Sequence, residues 1–250
     1  MKIFAISDLH LSFQTDKPMD LFGGHWTGYE QKIMDDWNSR VGAGDVCIVA
    51  GDISWAMSMG EATQDFEYLK KLSGKKVVVR GNHDYWWKSI SRIREEFGAD
   101  IIALQNDAVR VGGVVFAGTR GWKVPERRDV AAFEANTLSQ KAERGCFSAE
   151  DKKLFEREVG RMELALLDAQ KKRQEGDRLV VVTHYPPFNS MRDDSPLTKM
   201  FEKFGVDAVV YGHLHGGKGG RVDLLVSKNG IQYFLTSCDL LDFKVVEINI

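Results

Sequence analysis

Short runs of apolar, mostly β-branched residues alternate along this chain with stretches whose apolar positions recur every three or four residues. That is the rhythm of an α/β protein. Residues 2–6, 45–50 and 75–79 read as strands. A helix is expected over 28–40, where Thr27 and Glu30 have capping-box spacing and Ile33, Met34 and Trp37 follow at helical intervals. Further helices are expected at 61–72, with Phe66, Leu69 and Leu72 on one face, and at 86–97. Two apolar runs, 108–111 and 114–117, flank Gly112-Gly113 and predict a hairpin. From 126 to 174 the pattern turns helical, with a cap signal at Ser148 and a stripe of Phe155, Val159, Met162, Leu166 and Ala169. A helical hairpin inserted between strands is expected there, packed on the body or leaning over a site. Strands resume at 179–183, 208–211, 222–226, 231–236 and 243–248, the last three antiparallel around Asn229-Gly230. No linker or repeat breaks the pattern, so one domain over 1–250 is expected.

Composition narrows the partners. The chain has 250 residues, 43% hydrophobic and 28% charged, enough for a sizeable core without staples. Its 34 Lys and Arg interleave with 36 Asp and Glu for a net charge of −2, which offers no attraction to nucleic acid or an anionic membrane. Cys47, Cys146 and Cys238 lie far apart with no Cys-x-x-Cys pair, as in a reducing compartment. The four apolar residues before Ser7 are too few for an export signal, and a cytoplasmic protein is expected.

The chemistry gathers at strand ends. Of six histidines, all but His25 follow a predicted strand directly. The ends read Ser-Asp8-Leu-His10, Gly-Asp52, Gly-Asn82-His83-Asp84, Thr-His184 and Gly-His213-Leu-His215. One histidine or aspartate after a strand is an ordinary turn residue. Five strand ends that each deliver a metal-type side chain to the rim where open α/β sheets bind ligands are another matter. Asp8, His10, Asp52, Asn82, His184, His213 and His215 exceed the three or four protein ligands of one zinc, and suit two ions if a carboxylate bridges them. Imidazole, carboxylate and carboxamide without thiolate favour manganese, with iron or zinc as alternatives. Two such ions about 3.5–4 Å apart generate hydroxide and clamp phosphoryl oxygens, so phosphoester hydrolysis is the expected chemistry.

In order and spacing these motifs resemble the calcineurin-like metallophosphoesterases, and the strings Gly-Asp-Ile-Ser-Trp-Ala-Met and Gly-Asn-His-Asp-Tyr-Trp-Trp look like a bacterial branch of predicted phosphohydrolases. The resemblance implies an αββα sandwich and a metal-bridging hydroxide that attacks a phosphomonoester or phosphodiester. It implies one metal on Asp8, His10, Asp52 and His215, and a second on Asp52, Asn82, His184 and His213, with Asp52 bridging. His83 would protonate the leaving group and Asp84 would orient it. Residues 53–58 lack the Asp-Arg-Gly and phosphate-binding arginine of the protein phosphatases in this superfamily, which disfavours a phosphoprotein substrate. A small phosphoester substrate is expected, ahead of a nuclease, which the balanced charge opposes, or a non-catalytic scaffold, which would have lost ligands.

Around the motifs, Arg80 reads as a strand-end arginine paired with a surface carboxylate, with phosphate contact as the alternative. Trp55, Tyr85, Trp86, Trp87 and Trp122 are expected to wall the site or fill the core beneath it, with stacking on a base or sugar as the alternative. His25 has no motif, and the loop from 12 to 26 lies near the first one.

Overall fold

A computed structural model describes residues 1–134, 147–216 and 223–250. Cys146 lies outside them. Two sheets face each other. The first is built from β1 (Ile3–Ile6), β2 (Val46–Val49), β3 (Lys75–Val79), β4 (Ile101–Leu104) and β11 (Val246–Glu247), in the order β11-β1-β2-β3-β4. The second holds β5 (Asp107–Val111), β6 (Val114–Thr119), β7 (Arg178–Thr183), β8 (Ala208–Tyr211), β9 (Leu225–Lys228) and β10 (Ile231–Leu235), in the order β5-β6-β7-β8-β10-β9. β1 to β4 pair in parallel, as do β6, β7, β8 and β10, while β11, β5 and β9 are antiparallel edges.

Side-chain alternation explains the layering. Ile3, Ala5, Ile48 and Val77 meet Phe116, Val180, Val182 and Val210 in the core between the sheets. Phe4, Ile6, Cys47 and Val49 point the other way, under α1 (Tyr29–Arg40), α2 (Thr63–Lys71) and α3 (Ile90–Phe97), where Ile33, Trp37, Phe66 and Ile93 cover them. Val115, Ala117, Val181 and Val209 are covered by α5 (Ala149–Lys172) and α6 (Pro196–Phe204) through Phe155, Met162, Leu166, Leu197 and Phe201. Strands buried on both faces must read as unbroken apolar runs, as these do. The result is the αββα sandwich.

The departures have local causes. Thr27 and Glu30 form no capping box, because Gly28, at φ 63°, stands at the N-cap of α1 without any side-chain cap. The predicted helix at 86–97 starts only at Ile90, and Trp86 and Trp87 lie buried in the turn before it. Of the helical insertion expected at 126–174, the long helix packs on the body, one of the two placements expected. After a short α4 (Arg127–Glu134), α5 is the crossover between the parallel neighbours β6 and β7 and packs on β5 and β6; the hairpin expected between these helices falls on 135–146, outside the described residues. The last three strands do not form one meander, since β11 crosses to the first sheet to pair with β1. The beginning of the strand expected at 222–226 also lies outside the described residues. The sequence reading misses β4 and α6, although Ser195 caps α6, Pro196 opens it and Gly205 closes it at φ 63°. The Gly112-Gly113 hairpin forms as expected, with φ of 54° and 83°, the two positive values of a type I′ turn.

Candidate metal centre

All the motif residues sit at the carboxyl ends of β1, β2, β3, β7 and β8, which open on one edge of the sandwich. The loops there tie to each other. Asp8 N donates to the Gly51 carbonyl at 3.0 Å, His10 N to the Asp52 carbonyl at 3.0 Å and His184 N to the Arg120 carbonyl at 3.0 Å. Asp8, His10, Asp52 and His213 adopt positive φ of 57°, 48°, 50° and 72°. Such conformations cost about 1–3 kcal/mol each and persist where surrounding bonds over-determine them. Close approach demands two glycines as well. A Cβ at Gly81 would overlap Asp52 Oδ1 and the Asp52 amide, and one at Gly212 would overlap Asp8 Oδ2 and Ser7 Oγ.

Two clusters of bare acceptors result. In the first, Asp8, His10 and His215 bring one ligand atom each within 4.8 Å of the others. His10 Nε2 and His215 Nε2 are 3.2 Å apart, and His215 Nε2 is 3.6 Å from Asp8 Oδ1. In the second, Asp8, Asp52 and His184 meet the same limit. His184 Nε2 and His213 Nδ1 lie 2.7 and 2.8 Å from Asn82 Oδ1 and 3.3 Å from each other. Asp52 Oδ2 faces both clusters, 3.8 Å from His10 Nε2 and 3.5 Å from His184 Nε2, while Asp52 Oδ1 accepts the His83 amide at 2.8 Å.

Neighbouring bonds set the tautomers that leave those nitrogens bare. His184 Nδ1 donates to the Ala50 carbonyl at 2.9 Å, so in the neutral ring Nε2 has only a lone pair. His215 Nδ1 faces Asp239 Oδ1 at 3.0 Å in the same manner. His213 N donates to both Asp8 oxygens, and Ser7 and Ser237 hydroxyls donate to Asp8 Oδ2 at 2.7 and 2.9 Å, so Oδ1, with one donor, keeps a lone pair for a ligand.

Electrostatics give the same picture. Burial holds His10 well below the usual imidazole range, His184 at about 3 and His213 at about 4, so all three are the neutral rings that metals bind. Only His215 is pushed up, because Asp239 and Asp8 together outweigh its burial. Burial, then Asp84 and Asp8, push Asp52 up to about 9. Converging lone pairs and a carboxylate that would otherwise keep its proton are what a cation relieves. Each of the two groups could therefore hold a divalent metal ion.

Asp84 plays a different part from the one expected. Its Oδ1 accepts from Ile53 N, Ser54 N and Trp86 Nε1 at 2.8, 3.1 and 3.1 Å, and its Oδ2 from Gly81 N at 2.7 Å. These bonds, rather than a contact with the His83 ring, occupy it, and they pin the two loops that carry Asp52 and Asn82. Asp84→Asn replaces one acceptor oxygen by an NH2 facing the buried Gly81 amide. A loss of about 1–3 kcal/mol in urea unfolding is expected, together with lowered metal content.

The sequence reading missed Asp239, at the turn after β10, which supports His215 and also accepts the Gly216 amide at 2.8 Å. The strand-end rule that found the histidines would have found it, had Thr-Ser-Cys-Asp been read as one more rim segment. Tyr29, whose hydroxyl donates to the His10 carbonyl at 2.9 Å, left no such signal.

Two cavities flank the centre. One of about 330 Å³ is lined by His10, His83 and His215 together with Met19, Trp26 and Trp55, so the 12–26 loop does form part of the rim, with His25 at its wall. Trp55 stacks on His10, with ring centroids 4.9 Å apart, and lies 4.2 Å from His83. The other, about 370 Å³, reaches from His213 and Tyr185 to Asn189 and Arg192. Trp86 and Trp87 are core, and Trp122 stacks under Arg120 at 4.6 Å.

Comparison with known proteins agrees with the geometry. No functionally curated protein matches this sequence. Among solved structures, a phosphopantetheinyl hydrolase from Mycobacterium tuberculosis is similar at 15% identity and a TM-score of 0.55, covering 99% of this chain and 95% of its own. A protein of unknown function from Aquifex aeolicus is similar at 15% identity and a TM-score of 0.49, covering 98% and 95%. Among the described residues no helix is long and apolar enough to cross a membrane. The calcineurin-like phosphoesterase family matches residues 1–217, which carry every motif at the sheet edge, and the chain belongs to that family of metal-dependent phosphoesterases.

Proposed function

We propose that the protein is a dinuclear hydrolase of small phosphomonoesters or phosphodiesters, with manganese as its working metal and iron or zinc as alternatives. The observation that carries this reading is Asp52 Oδ2, which faces His10 on one side and His184 on the other and can bridge two ions. Asp8, His10, Asp52 and His215 would hold one ion, and Asp52, Asn82, His184 and His213 the second. When bound, the pair supplies Lewis acidity and an acidified water at neutral pH.

The chain's own residues do the rest. His83 stands beside the clusters without entering them, its centroid 5.7 Å from that of His10, and its Nδ1 is buried without a hydrogen-bond partner. On this reading it gives a proton to the leaving oxygen. Burial, then His215 and Lys17, lower its pKa, so its protonated form depends on the negative charge of a bound phosphate. Asp239 and the Ala50 carbonyl keep the ligand nitrogens aimed, and Trp55 excludes water from the His10 side. The cavities on either side suit a small ester rather than a polymer, in keeping with a net charge of −2.

A substrate panel tests this. Manganese-loaded protein is expected to turn over p-nitrophenyl phosphate or bis-p-nitrophenyl phosphate, and some nucleotides, while leaving single-stranded DNA intact. Cleavage of the DNA without turnover of either small ester would replace this reading with a nuclease.

A further inference from the structure

Lined by none of the metal-motif residues, a cavity of about 290 Å³ opens where β3, β4 and β6 end against α5. Its walls carry five cations, Arg80, Lys88, Arg120, Arg157 and Arg161, and among its described lining residues Glu158 is the one carboxylate. Glu158 is already committed. It is 1% exposed, its Oε1 lies 2.6 Å from Arg161, 3.9 Å from Arg157 and 4.0 Å from Arg120, and its Oε2 accepts from Thr119 Oγ1 at 3.0 Å. Arg80 and Lys88 have no ion pair among the described residues, and Arg80 Nε is buried with no hydrogen-bond acceptor. The surface carboxylate expected beside Arg80 is therefore not there. Asp84 feels its charge, but the four bonds described above occupy both Asp84 oxygens.

The rest of the wall is also rich in donors. The Gln105 amide oxygen accepts from Trp87 Nε1 at 2.7 Å, which leaves its NH2 group to spare; Asn106 Oδ1 and Glu158 Oε2 share the single Thr119 hydroxyl proton, each 3.0 Å from Oγ1. A buried guanidinium N–H without an acceptor is costly, and an oxyanion supplies what it lacks. We propose that this cavity is a second anion site for a phosphate-type oxyanion, separate from the phosphate position at the metals. The occupant is either the distal phosphate of a substrate, which rests on the hydrolase reading, or a free oxyanion, which does not.

Calorimetric titration of the metal-loaded protein with inorganic phosphate tests the site. Two phosphates per chain are expected. Lys88→Gln, a change at an exposed position, should weaken one of them about tenfold or more, and Arg80→Gln should do the same if it folds. A single phosphate in the wild type, unaffected by Lys88→Gln, would overturn the proposal. The sources separate in kinetics. If Lys88→Gln lowers kcat/KM on an alkanediol bisphosphate about tenfold and spares p-nitrophenyl phosphate, the occupant is the substrate's second phosphate. Equal kcat/KM on both, with weakened phosphate binding, assigns the site to a free oxyanion. Failure to turn over p-nitrophenyl phosphate would count against the hydrolase and leave the phosphate stoichiometry to decide this site.

Discussion

Asp52→Asn is expected to lower kcat/KM by about 10³-fold or more and to cost the protein at least one of its metals. The substitution removes a carboxylate oxygen that faces both His10 and His184, and presents a neutral amide at the junction. Stability should move the other way. Because the Asp52 carboxyl is raised to about 9 in the folded chain, its ionised form opposes folding above the ordinary carboxylate range. In chelator at neutral pH, the variant should therefore melt at or above the wild-type temperature. A variant that melts lower there, with metals and activity intact, would make Asp52 a structural residue.

Residue types at strand ends are local information, and Asp8, His10, Asp52, Asn82, His184, His213 and His215 do converge on one edge because parallel strands share an orientation. Strands buried on both faces were readable from unbroken runs such as Lys75–Val79. What escaped depended on contacts distant in sequence. Asp84 looked like a partner of the adjacent His83, yet its hydrogen bonds reach Ile53 and Ser54 on a different loop. The role of α5 as the crossover between β6 and β7 is decided by which strands are neighbours, and an amphipathic stripe does not carry that. Gly28 displaced the Thr27 cap because a positive φ turns the chain at that point, which the pattern Thr-x-x-Glu does not record.

His83→Ala should keep the wild-type metal content and still lose about 10²–10⁴-fold in kcat on an alkyl phosphate, the usual range for general acid catalysis. The His83 ring is no member of either donor cluster, so its removal leaves both intact. Leaving-group dependence separates its role from phosphate binding. p-Nitrophenolate departs without a proton, so the loss on p-nitrophenyl phosphate should be clearly smaller. Equal losses on both esters would make His83 a phosphate-binding residue, and loss of one metal would make it a ligand.

Metal stoichiometry bears most directly on the two-ion centre. Metal-free protein reconstituted with excess manganese, freed of unbound ion and measured by elemental analysis alongside activity, should hold close to two ions per chain, with full activity reached only as the second is bound. One ion per chain at full activity would contradict a centre bridged by Asp52.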